Sequence, residues 1–111
     1  MSYDIELKAK VEGLDKYVWI GDSDSLNITW NVHELILQSS GWDIMNNKNN
    51  GKAADIGKLI EKGIMELESR PKFYKKYEAP NGWGTIESTL KFYKNLLGGC
   101  KEFPFAYVFV D

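Results

Sequence analysis

Tyr3-Asp4-Ile5-Glu6-Leu7-Lys8-Ala9-Lys10-Val11 is the stretch that decides the fold class. Every odd position is apolar and every even position is charged. Successive side chains of a strand point to opposite faces, so this period of two predicts a strand with one face on a core and one in water. Such a strand needs a partner. Tyr17-Val18-Trp19-Ile20, rich in β-branched and aromatic residues, predicts one. The short link Gly13-Leu14-Asp15-Lys16 favours an antiparallel pair. At the other end of the chain, Phe105-Ala106-Tyr107-Val108-Phe109-Val110 predicts a third strand. It is apolar on both sides, so it is expected to be covered on both faces or to lie central in the sheet.

Between these strands the period changes to that of a helix. A first helix is expected over 31–40. Asn31 is its candidate N-cap, Glu34 stands at N3 as in a capping box, and Trp30 is placed to staple against Leu35. Gly41 predicts a left-handed stop, with Trp42 placed to touch Leu37. A second helix is expected over 52–69, with Ala53, Ile56, Ile60, Ile64 and Leu67 as its core stripe. Gly63 lies on that stripe. An interior helical glycine costs about 1 kcal/mol, which predicts that another backbone packs close there. Arg70-Pro71 ends this helix, and Pro71 opens a short helical turn over Lys72–Tyr77. A third helix is expected over 85–98, extending towards Lys101, with Ile86, Thr89, Leu90, Tyr93 and Leu97 inward and Gly98-Gly99 weakening its end. The prediction is one α+β domain over 1–111. Three helices pack on a small, mainly antiparallel three-stranded sheet with strands near 2–11, 17–21 and 105–110.

Bulk properties narrow the function classes. The chain has 111 residues, 43% of them hydrophobic and 14% aromatic, enough for a core. Lys and Arg number 14 against 16 Asp and Glu, a net charge of −2 that gives no global pull towards nucleic acid or an anionic membrane. Cys100 is the single cysteine and His33 the single histidine. No internal disulfide can form, and the first residues lack the apolar run of a signal peptide, so a cytoplasmic protein is expected. A Cys/His nucleophile pair lacks a third orienting group, and a metal site lacks ligands. No catalytic residue, metal or cofactor is therefore expected.

Three local patterns bear on binding. Ala79-Pro80-Asn81-Gly82-Trp83-Gly84-Thr85 predicts a sharp corner that relaunches the chain as the third helix. A glycine-flanked helix start aims backbone N–H groups outward, where the helix dipole favours an anion, and Trp83 beside it suits stacking on a base or packing on a partner. The same glycines also serve an ordinary tight turn with Trp83 buried. The candidate site here is Asn81, Gly82, Trp83, Gly84 and Thr85, with Trp30 and Asn31. The second pattern is the basic-aromatic run Arg70 to Tyr77. Arg70, Lys72, Tyr74, Lys75 and Lys76 are its candidate contacts, and such interleaving suits single-stranded nucleic acid. Its structural reading puts Phe73 and Tyr77 on the core with the lysines solvated. The third pattern, Asp22-x-Asp24, starts like a calcium loop but fails at Leu26 and His33. Asn50-Gly51-Lys52 likewise lacks the remainder of a phosphate loop.

Ile28-Thr29-Trp30-Asn31, Lys76-Tyr77-x-x-Pro80-Asn81-Gly82-Trp83-Gly84-Thr85 and Cys100-Lys101-Glu102-x-Pro104, in that order, resemble a family of small uncharacterised proteins encoded by phages and prophages of Gram-positive bacteria. The resemblance implies a phage accessory protein in a bacterial cytoplasm and carries no catalytic residue. The expected function is non-enzymatic binding in counter-defence, by occupying a host protein or trapping a small nucleotide-like ligand. A nucleic-acid or nucleotide binder is the alternative, and a small hydrolase a remote one. A small sheet with free edges also admits a homodimer.

Overall fold

A computed structural model describes residues 2–10, 13, 17–19, 27–44, 51–79, 82 and 84–110. The long alternating strand is β1 (Ser2–Lys10). Tyr3, Ile5 and Leu7 are buried, while Asp4 and Lys10 are exposed. On the wet face Glu6 and Lys8 pair at 3.1 Å, and the Lys8 ammonium lies 4.8 Å from the Phe109 ring. Among the described residues every other strand pairs antiparallel with β1. β2 (Tyr17–Trp19) and β4 (Tyr107–Val110) complete the expected three-stranded sheet, with Lys8 opposite both Trp19 and Tyr107. A further short strand, β3 (Asn27–Thr29), pairs with Ser2–Asp4. At three residues it is too brief to show a period.

The final strand is therefore not the centre of the sheet; β1 is. β4 starts at Tyr107, not at Phe105, which stands 61% exposed in the turn before it. The free edge of β4 is met by the chain leading into the second helix. The Val108 N–H donates to the Gly51 carbonyl at 2.9 Å, and Lys52 bridges Tyr107.

This junction explains how α2 (Ala53–Ser69) begins without a side-chain cap. Its first two N–H groups donate to carbonyls ahead of β4, Ala53 to Ala106 at 2.8 Å and Ala54 to Pro104 at 3.3 Å. Orphan amides of a helix start are thus satisfied by the sheet side of the fold. α2 ends at Arg70 as expected, and α3 (Pro71–Tyr74) opens with Pro71 in its first turn and runs into a 3₁₀ turn, Lys75–Tyr77.

The first helix starts later than its capping signal indicates. Asn31 lies within a 3₁₀ turn, Trp30–Val32, and α1 (His33–Ser40) has Val32 at its N-cap with no side-chain cap. Asn31 is exposed and caps nothing, while Val32 is buried. Gly41 takes the predicted left-handed stop, φ +84°, with its N–H on the Leu37 carbonyl.

α4 (Ile86–Glu102) runs straight through Gly98-Gly99. Gly99 is a packing residue: a Cβ there would stand 2.8 Å from Leu7 Cδ1 on β1. α2 and α4 form the most extensive helix pair. A Cβ on Gly57 would meet Cys100 Cβ at 3.2 Å, and one on Gly63 would meet Tyr93 Cε2 at 2.6 Å and Ser40 Cβ at 3.0 Å. The neighbour that Gly63 admits is thus an aromatic ring, where the sequence led us to expect a backbone. Tyr93 reaches past it to α1, its hydroxyl 2.7 Å from Ser39 Oγ and 3.3 Å from the Ile36 carbonyl.

Candidate functional site

Asn81 and Trp83 lie outside the described residues, as do the side chain of Trp30 and the Gly21–Ser25 loop. What is described of the corner is a tight turn. The Gly82 N–H donates to the Ala79 carbonyl at 3.1 Å, and Gly82 and Gly84 have φ of +77° and +103°. Gly84 is constrained twice. Its positive φ disfavours a side chain, and a Cβ would stand 2.6 Å from Val32 Cγ1 and 3.5 Å from Asn31 Cβ. Gly84 therefore packs on the 3₁₀ turn before α1, which brings it together with Asn31.

The start of α4 is not an open anion site. Thr85 is its N-cap, with Oγ1 accepting from the Ser88 N–H at 3.1 Å, while the Thr85 N–H donates to Ser88 Oγ at 3.0 Å. This is a capping box with Ser in place of Glu. The Ile86 N–H donates to Glu78 Oε2 at 2.8 Å. The chain thus supplies its own carboxylate to the positive end of this helix, which corrects the expectation of outward, unoccupied amides.

The basic-aromatic run keeps its structural reading at Tyr77, which packs against the core, and at the exposed lysines, and departs from it at Phe73. Tyr74 faces the core at 4% exposure, whereas Phe73 is 42% exposed and Tyr77 half-buried. Burial and a hydrogen bond with Glu66 raise the Tyr74 phenol above its ordinary range. Tyr74 is thus removed from the set of contact residues. The cause lies at Arg70, where φ −132° and ψ 50° break the helix, so that Pro71 restarts the phase. Phe73 is ringed by cations and aromatics. The Arg70 guanidinium lies 4.2 Å and the Lys76 ammonium 4.3 Å from its ring centre, with Tyr74 edge-on at 4.9 Å. Each such cation–π contact contributes about 0.5–1 kcal/mol at an exposed site. Arg70 is also 3.5 Å from Glu66.

Between this run and the first turns of α4 lies an open groove of about 550 Å³. Pro71, Ile86 and Leu90 give it apolar lining; Lys72 lines it from α3 and Lys75 from the 3₁₀ turn, and Glu78, Thr85 and Glu87 complete it. It joins the two regions that the sequence marks separately, the basic run and the helix-opening Thr85. A second groove of about 500 Å³ follows the outer face of α2 past Met65, and a notch of about 230 Å³ lies over Gly57 and Cys100 between α2 and α4.

The remaining chemistry is structural in placement. Cys100 is buried, and burial pushes its thiol up to about 11. At neutral pH it is a thiol, which is a poor nucleophile. His33 sits in the first turn of α1 as expected. Among the described residues no group of three His, Cys, Asp or Glu side chains is placed to hold a metal ion, and no helix is long and apolar enough to cross a membrane. No protein-family model, curated protein or solved structure matches the chain.

Proposed function

We propose that this is a non-enzymatic binding protein whose contact surface is the face built from α3, its 3₁₀ extension and the start of α4. The observation that carries the reading is Phe73, a large ring left 42% exposed and held between Arg70 and Lys76, next in sequence to Lys72, which lines the groove. Its contacts with Arg70, Lys76 and Tyr74 hold the ring in place while leaving it reachable from solvent. Aromatic and arginine side chains in this arrangement are the usual anchors of protein interfaces. The setting proposed with it is a phage accessory protein acting on a host component in the bacterial cytoplasm. That setting rests on the resemblance of the three motifs.

The alternative of a nucleotide at the α4 start is weakened, because Glu78 and Thr85 already hold amides there. The test is partner capture from a bacterial lysate by the wild-type protein, Phe73→Ala and Trp83→Ala, each melted in parallel. The proposal expects Phe73→Ala to lose capture at a temperature where its melting curve shows it still folded. Capture that falls only in proportion to unfolding, or survives Phe73→Ala intact, removes it.

A further inference from the structure

The turn before β4 stands beside the notch between α2 and α4. Pro104 lines the notch, and Phe105 follows it with 61% of its surface exposed. Among the described residues no aromatic ring is more exposed. Its mount is rigid. The Ala106 N–H donates to the Phe103 carbonyl at 3.0 Å, which closes a turn with Pro104 at its second position. The Ala53 and Ala54 N–H groups hold the Ala106 and Pro104 carbonyls at 2.8 Å and 3.3 Å. The notch is an apolar hole lined by Ala53, Ala54, Gly57, Leu97, Cys100 and Pro104, and the Glu61–Lys101 ion pair at 3.6 Å joins its two banks. Its volume of about 230 Å³ has room for one aromatic ring, since a cavity of about 150 Å³ takes benzene. Two charges here are left over. Lys58 lines the notch and Glu102 ends α4 just before the turn. Both are exposed, and among the described residues neither has an ion-pair partner.

We propose that the chain forms a two-fold dimer in which Phe105 of each copy enters the notch of the other. A two-fold contact needs a self-complementary patch, so that whatever one copy offers the other can receive. A ring and a ring-sized hole side by side on one surface meet that need. The left-over charges meet it too, because Glu102 beside the ring and Lys58 beside the hole are opposite in sign and face each other twice in such a pair. The turn holds the ring in place before association, so little ordering entropy is lost. The notch shares no lining residue with the groove beside Phe73, and the dimer stands or falls apart from the binding face proposed above. With one ring from each copy at its centre the contact is small, and a dissociation constant between about 1 μM and 1 mM is expected.

The test is sedimentation velocity of the intact protein across that concentration range. We expect the sedimentation coefficient to rise from monomer to dimer. Phe105→Ser removes the ring and Ala54→Gln sets a longer neutral side chain over the notch. Each should weaken association at least tenfold. Both positions are exposed, so at concentrations where wild type is monomeric both variants should melt with it. Lys58→Glu and Glu102→Lys should each weaken the dimer about tenfold, and the double variant carrying both should recover it, because the two charges only exchange places. A monomer at every concentration, a dimer as tight in Phe105→Ser as in wild type, or a double variant no tighter than the single ones overturns the proposal. So does a chain that stays monomeric and uses Phe105 to capture a different protein.

Discussion

Glu78 and Ile86 are joined by a 2.8 Å hydrogen bond from the Ile86 backbone N–H to the Glu78 carboxylate, across the corner that separates the basic run from α4. The bond ties the two banks of the groove together and fills the helix end with an internal anion. Glu78→Ala leaves that half-buried amide without its partner and is expected to cost about 1 kcal/mol. For a domain of this size that is a drop of about 4–8 °C in Tm. Glu78→Gln, which keeps an acceptor oxygen, should lose less. An unchanged melting temperature in Glu78→Ala would show that the bond does not form in solution.

Two helical glycines should respond to alanine with opposite signs. Gly98 is exposed within α4 and a Cβ there meets nothing within 4 Å, so Gly98→Ala is expected to stabilise by up to about 1 kcal/mol. Gly63→Ala brings the same propensity gain but drives a methyl to 2.6 Å from the Tyr93 ring, with Ser40 Cβ at 3.0 Å. Overpacking of this kind costs about 1–3 kcal/mol, enough to reverse the sign. Denaturant titration of the two variants reads both effects, and a stabilising Gly63→Ala would contradict the packing described.

Tyr93 predicts a loss of stability in alkali. Burial pushes its phenol up to about 12, against an ordinary value of about 10 in the unfolded chain. Between these values the unfolded chain has released the proton and the folded chain has not, so folding stability falls as pH rises. The contribution is fully present below about pH 10 and is lost as pH rises towards about 12. Tyr93→Phe should remove that part of the alkaline slope. At neutral pH it should cost about 1–2 kcal/mol for the hydroxyl bonds to Ser39 and the Ile36 carbonyl. An alkaline profile identical to wild type would contradict the assignment.

Cys100 should be inert in the folded protein. Its thiol is buried over Gly57 and its ionisation is suppressed, so a disulfide reagent at pH 8 is expected to react only as fast as the protein opens. Rapid labelling without denaturant would contradict this.

How much of this was legible in the sequence depends on which residues are asked. The period of β1 was readable because one of its faces stays wet, and α2 was readable because its stripe repeats without interruption. The start of α1 was misplaced because Asn31 and Glu34 satisfy a local capping rule, while Trp30–Val32 forms a 3₁₀ turn with Val32 buried. Gly98-Gly99 looked like a breaker, yet Gly99 is there for Leu7, a contact between the two ends of the chain. Phe73 was given to the core by carrying helical spacing onto Tyr77. The backbone at Arg70 resets that phase and turns Tyr74 inward in its place. The groove could not be read at all. Its two banks come from separate segments, Pro71 to Glu78 and Thr85 to Leu90, and no local spacing records which of their side chains face each other.

The binding face is tested most directly by the affinity of Phe73→Ala for whatever partner the wild-type protein captures, measured beside its thermal midpoint. The ring's two cation–π contacts together contribute about 1–2 kcal/mol, so the midpoint should fall by the shift expected for that loss, while affinity falls about tenfold or more at a temperature where both proteins are folded. Equal affinity in wild type and Phe73→Ala would contradict the account.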